Sequence, residues 1–388
     1  LIKFYPDKNV IHFFKGNSTD LRDGFNSNVR AFVEDHAGNI WLATSNGLSS
    51  LNPDLTCRGT IFPEELASDK INHPSLRGLT YRNDELIIGQ TNKGVWIYDL
   101  KSKTFERPRY VENGNDRDVE SKINSAFINS ILLLKSGEHL ILANEGAFIL
   151  NQDTRLLREL EIAGSEGAFK TAHESSNRLL YIATTSDLYC FDRSLNLKWS
   201  EDLEKMDMRI WSFLERDSHL LLATDNGVVK FWKEKRKFTP VLPELQNQRT
   251  RSIFADSLDR IWIVTTEAIF GYDENKDQLK HFGRFENVMG DYFHPHAFLK
   301  TKEGKVLIGA TSGINWFYPE KLSLQSQPLE VNLSYASVPE FGDEYLSIDD
   351  GYEFKYFQNN VEIGFSSAYF GNHRELSYEY QLKPEGSF

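Results

Sequence analysis

Six side chains suited to binding chemistry recur at one place in related segments of this 388-residue chain: Arg30, Arg77, Lys170, Trp211, Arg251 and His296. Leu132 completes the column as its apolar member. Arg209, Arg249, Tyr292 and His294 stand just ahead of three of these positions. Guanidinium forks bind carboxylate or sulfate through paired N–H donors, and flat rings offer a stacking surface. Such a set suits a ligand with a negative group and an apolar face. The chain as a whole has the opposite sign, with 44 basic against 56 acidic residues and a formal charge of −12. That balance excludes a protein held to nucleic acid or to an anionic membrane by its overall field.

Other chemistry is sparse. An acid–base enzyme needs two groups converging on one pocket, and a metalloenzyme needs a ligand set. The carboxylates gather instead at turns, as in Glu34-Asp35, Asp256 to Asp259 and Asp349-Asp350, where they read as solvated hairpin residues. No nucleophile elbow, HExxH helix, calcium loop or glycine-rich nucleotide loop occurs. His294-Pro295-His296 has the look of a metal motif but lacks further ligands, so neither a metal nor another cofactor is expected. Cys57 and Cys190 read as packing residues, the alternatives being a disulfide or a reactive thiol. No catalytic role is expected of this chain.

The elements that place the column come from a repeat. Asn39-Ile-Trp-Leu-Ala-Thr44 is matched by apolar strands ending at Gly89, Ala143, Ala183, Ala223, Val264 and Gly309, about one four-stranded unit apart. Ahead of each lies another strand and a polar turn, as in Val29 to Val33 and Asp35 to Asn39, which makes a β-hairpin. Behind it a turn carries Gly47, Gly94, Gly146, Gly227 or Gly313, where tolerance of positive φ is the simplest reason for glycine. A third strand and a less regular fourth follow. Four strands repeated seven times predict an all-β chain built as a seven-bladed β-propeller over residues 1–319. In a propeller the first strands line the central channel, so the basic column stands near one mouth. The same residues also suit a plainer role, holding water or pairing with acids of neighbouring loops.

The chain starts part-way through a unit. Leu1 to Tyr5 and Val10 to Phe14 look like outer strands without an inner hairpin, and the natural closure pairs Val10 to Phe14 with the third strand of the last blade. The alternative is that they belong to a preceding propeller. Trp41 and Trp262 share one column and read as packing between blades. No apolar run approaches the roughly 20 residues that span a bilayer, and no membrane contact is expected of this chain. Residues 320–329 are polar and read as a linker, and 330–388 carry strand-like segments at Glu330 to Ser337, Glu344 to Ile348 and Val361 to Ser366. These 59 residues fall short of the roughly 100 of an immunoglobulin-like β-sandwich, so only its first part is expected.

Val29-Arg-Ala-Phe-Val-Glu-Asp-His-Ala-Gly-Asn-Ile-Trp-Leu-Ala-Thr-Ser-Asn-Gly-Leu-Ser-Ser-Leu-Asn-Pro53 resembles the two-component regulator propeller repeat. Asn359 to Tyr369, followed by Tyr378-Glu-Tyr380-Gln-Leu, is similar to the start of the Y_Y_Y domain, an immunoglobulin-like module whose tyrosines read as core residues. That order resembles the periplasmic ectodomain of hybrid two-component sensor histidine kinases. The resemblance implies an inner-membrane protein that detects an oligosaccharide, works as a homodimer and relays the signal through the Y_Y_Y domain to a kinase outside this chain. One departure stands out: the family ectodomain has two consecutive propellers, and here there is one. With the basic column, the expected ligand is an acidic oligosaccharide at the channel mouth. A propeller scaffold for protein partners without a small ligand is the alternative, and a propeller glycosidase or lyase a further one.

Overall fold

The computed structural model describes residues 11–16, 28–61, 75–110, 116–162, 165, 167–324, 331–337 and 360–367. Seven sheets follow one another along the chain, six antiparallel sheets of four strands and one of five in which the edge strand Arg109–Tyr110 pairs parallel with Leu156–Glu159. Their innermost strands are Val29–Glu34, Leu76–Arg82, Ile128–Leu133, Phe169–Glu174, Ile210–Glu215, Thr250–Ala255 and Phe293–Lys300. Each touches the innermost strand of the next sheet, and the seventh touches the first. The chain is therefore a closed seven-bladed β-propeller.

Closure follows the expected scheme. His12–Lys15 pairs antiparallel with Gly313–Phe317, with His12 opposite Trp316, and supplies the outermost strand of the seventh blade. No long sheet edge is left between first and last blades. Gly313 lies where the two meet: a Cβ there would sit 2.3 Å from the Phe14 carbonyl oxygen. The compact unit that contains the ring runs through residue 324. Residues 320–324, expected as linker, are thus anchored on the ring. Leu322 and Leu324 are buried against Trp262 and Phe282, and Arg260 donates to the Leu322 carbonyl at 2.7 Å.

The second strands are the core layer, and every residue of Ile40–Thr44, His139–Ala143, Leu180–Thr184 and Val306–Ala310 is buried. Their small terminal residues let the neighbouring blade approach. A Cβ on Gly89 would lie 2.6 Å from the Ile128 side chain, and one on Gly309 would lie 2.8 Å from the Val29 carbonyl. Trp41 packs with residues of the second blade and Trp262 with Phe317 of the seventh, as their shared column implied. Of the glycines at the second turn, Gly47, Gly94, Gly227 and Gly313 take positive φ.

Two turn carboxylates depart from the solvated reading. Asp35 is 3% exposed and Asp256 is 6% exposed. Asp35 accepts the Trp41 indole N–H at 3.0 Å and the backbone N–H groups of Ala37 and Asn39. Asp256 does the same for Trp262 at 2.9 Å and for Leu258 and Arg260. A hairpin turn closed by a buried acceptor explains both, since each amide would otherwise be left unpaired under the tryptophan. One element was not anticipated: helix Asp116–Ser125 occupies the long spacing before the third blade, packing Ile123 against Ile97 and Val95.

A second unit contains strands Val331–Ser337 and Glu362–Ser367, which pair antiparallel. Glu344 to Ile348 and the tyrosines Tyr369, Tyr378 and Tyr380 lie outside the described residues. Cys57 and Cys190 are unpaired thiols, and burial pushes the Cys190 thiol up to about 11, which makes it inert.

Candidate functional site

The basic column has a backbone cause. In six blades the first strand carries one residue more than its partner at its second position. In the first blade Val29 faces Thr44 and Ala31 faces Ala43, leaving Arg30 unpaired. The same β-bulge falls at Arg77, Asn129, Lys170, Trp211 and Arg251. A bulge leaves its residue out of the ladder and re-aims the side chain. In the seventh blade the irregularity is larger: Phe293 faces Ala310 and Phe298 faces Ile308. His294, Pro295 and His296 are pushed out of the ladder together, with His296 in the left-handed region at φ 66°.

These residues meet in a cavity of about 350 Å³ at one mouth of the channel. Its walls bring together Arg30, Arg77, Lys170, Trp211, Tyr292, His294 and His296 of the predicted set, joined by Phe127, Asn129 and Pro295. A second cavity of about 210 Å³ is also lined by Arg77 and His296, with Leu132 and Phe298 among its other walls. Leu132 thus does not belong to the column, and Asn129 holds its place. In the third blade the large Leu142 occupies the position that Ala43, Gly89, Ala183 and Ala223 fill elsewhere, so Ala143 stands one place past the register mark, which accounts for part of the displacement from Asn129 to Leu132. Phe127 was missed as well. It stands two residues before its bulge, as Arg209 and Arg249 stand before theirs, and that offset was the available signal.

Arg209 and Arg249 are exposed and do not line the cavity, although the charge of Arg209 reaches Lys170. Arg251 is 4% exposed and set back from the cavity wall. Its guanidinium lies 4.7 Å from the Trp211 ring and 5.4 Å from that of Tyr292, and its Nη1 donates to Asp225 Oδ1 at 3.3 Å. The same oxygen accepts the Trp211 indole N–H at 2.7 Å.

The cations that do face the cavity are poorly compensated. Arg30 Nη1 donates to Ser75 Oγ. The Arg77 guanidinium lies 4.2 Å from the centre of the Phe127 ring. Lys170 Nζ donates to Asn144 Oδ1 at 2.9 Å. Among the described residues no carboxylate lines this cavity. Arg30 Nε, Arg77 Nε and His294 Nε2 are buried without a hydrogen-bond partner among them. Burial pushes the Arg77 guanidinium down to about 10, with Arg30 adding to the effect, and pulls Arg30 and Lys170 below their ordinary values. Burial and the surrounding Arg30, Arg77 and Arg251 charges push His294 down to about 4, so it is neutral at pH 7. His296 falls to about 4 for the same first reason, with Lys170 and Arg251 as its charged neighbours. No group of residues able to hold a metal ion occurs among the described residues. The arrangement can accept hydrogen bonds poorly and donate them well: it is a cationic, aromatic-walled pocket with donors to spare.

The two component regulator propeller family matches residues 23–46. No curated protein matches the sequence. Among solved structures, the chain is similar to the extracellular domain of a protein described as the hybrid two component system BT3049 from B. thetaiotaomicron. The identity is 15% and the TM-score 0.72, over 92% of this chain and 48% of that one. The corresponding domain of BT4673 from the same organism gives 14% identity and a TM-score of 0.62, over 83% and 40%. Virginiamycin B lyase from Staphylococcus aureus gives 12% and 0.60, over 79% and 98%. The chain spans about half the length of the BT3049 domain. At these identities the likeness is one of fold.

Proposed function

We propose that the propeller is the ligand-sensing part of an extracytoplasmic two-component sensor and that the channel-mouth cavity takes the acidic group of an oligosaccharide. The observation that carries this reading is the pair of unpartnered donors, Arg30 Nε and Arg77 Nε, with His294 Nε2 also unpartnered, on a cavity that no carboxylate among the described residues lines. Leaving a buried charged donor unmatched costs about 1–3 kcal/mol, a cost that a bound anion removes. Phe127, Trp211 and Tyr292 give the same cavity flat apolar walls for sugar faces. The regulator-propeller match at residues 23–46 and the likeness to extracellular domains of hybrid two-component systems support the sensor setting. In that setting the protein is periplasmic and dimeric, residues 330–388 begin a Y_Y_Y relay, and the kinase lies outside this chain. Among the described residues no helix is long and apolar enough to cross a membrane.

Calorimetric titration with matched neutral, uronic and sulfated oligosaccharides tests the reading. An acidic saccharide is expected to bind at least tenfold more tightly than its neutral counterpart, without cleavage products on prolonged incubation. Equal affinities would remove the acidic ligand, and product formation would replace the sensor with an enzyme.

A further inference from the structure

Arg251 occupies the same bulge position as Arg30 and Arg77, yet its surroundings differ from theirs. Its guanidinium is buried, set against Trp211 and near Tyr292, and paired with Asp225. Asp225 itself is still 27% exposed. One carboxylate oxygen serves both the Arg251 Nη1 and the Trp211 indole N–H. The acceptor that Trp211 meets in this arrangement therefore also neutralises the cation behind it.

We propose that Asp225 is a positioning and specificity-determining residue of the cavity: it locks the Trp211 ring as a stacking wall and withdraws Arg251 from anion binding. This rests on the saccharide reading above. The site then has two separate functions in two places. Arg30 and Arg77, on adjacent blades, read charge. Trp211, held from behind by Asp225 and Arg251, reads the face of the sugar. A guanidinium pressed on an indole and balanced by a carboxylate fixes ring orientation while adding little net field in front of it. Without Asp225 the third guanidinium of the column becomes available to the ligand, and the wall loses its anchor.

The test uses two variants and three probes: a neutral oligosaccharide, its uronic counterpart and inorganic sulfate. Asp225→Ala removes both bonds. Its affinity for the neutral saccharide falls about tenfold, while the ratio of acidic to neutral affinity rises. Asp225→Asn keeps a carbonyl oxygen for the indole N–H and removes only the charge. Its neutral affinity falls less than in Asp225→Ala, and its affinity for the uronic saccharide and for sulfate rises about fivefold, with a steeper salt dependence. A merely structural aspartate would lower all three affinities together. That outcome, or an unchanged acidic-to-neutral ratio in Asp225→Asn, overturns the proposal. If no saccharide binds the wild-type protein, the saccharide reading falls while the sulfate arm still decides: Asp225→Asn must bind sulfate more tightly than wild type, and no gain there overturns the role of Asp225.

Discussion

Replacing Arg77 by methionine should make the free protein more stable and at the same time weaken binding of anions about tenfold. A guanidinium pushed down to about 10 has lost about 3 kcal/mol of the stability its charged form has in water. Solvent at the open mouth screens part of this, and the Phe127 ring at 4.2 Å offsets another part, leaving about 1–2 kcal/mol. Because the folded value lies below the unfolded one yet far above neutrality, this cost is constant at and below pH 7 and fades only as pH rises through about 10. Methionine keeps apolar contact with Phe127 and carries no charge. For a chain of this size the gain corresponds to a rise in Tm of about 1–2.5 °C. Differential scanning calorimetry at pH 7 reads it, with and without added sulfate. Wild type should gain more stability from a given sulfate concentration than Arg77→Met does. A lower Tm for the variant in the absence of ligand would refute the reasoning, since it would make Arg77 a structural residue whose charge is compensated.

Three other outcomes follow from the same geometry. His294 and His296 sit at about 4 in the free protein, below the ordinary value of about 6.5. The unfolded chain therefore takes up protons first, and stability is lost as pH falls from about 6.5 toward 4. A bound anion raises the His294 value, so acidic-ligand affinity should increase as pH falls through that window, and His294→Gln should flatten the slope measured by calorimetry. Asp256→Ala leaves the Trp262 indole N–H and the Arg260 Nε–H without their acceptor; it should cost about 3 kcal/mol in denaturant unfolding without altering the ratio of acidic to neutral affinity. Gly313→Ala forces a Cβ to 2.3 Å from the Phe14 carbonyl at the seam of the ring, and should destabilise by about 2 kcal/mol or more, with unfolding accelerated more than folding is slowed.

The propeller was legible because its signals are local and repeated. A small residue ends each second strand wherever the next blade packs close, as at Gly89 and Gly309, and a glycine turns the chain at Gly94 and Gly227. The cationic column was legible for a related reason: the bulge repeats, so Arg30, Arg77, Lys170, Trp211 and Arg251 keep one spacing from the second strand. Where one blade departs from that rule, spacing misleads: Leu142 in the small-residue position accounts for part of the displacement of the column from Asn129 to Leu132. Burial was the harder quantity. Asp35 and Asp256 look like ordinary hairpin acids in sequence, and only the tryptophan folded over each turn reveals them as buried acceptors. Likewise, nothing local distinguishes Arg251 from Arg77. The difference lies in Asp225, 26 residues away in sequence, on the other side of a blade boundary.

The central claim is that Arg30 and Arg77 hold the acidic group of a saccharide. The most direct measurement is the dissociation constant of a uronic oligosaccharide for the Arg30→Ala/Arg77→Ala double variant, taken beside wild type at one salt concentration and beside the neutral counterpart. Two charge-assisted contacts correspond to a loss of about 100-fold for the uronic ligand, with the neutral ligand changed by less than about threefold. A double variant that binds the uronic ligand within twofold of wild type would contradict the account.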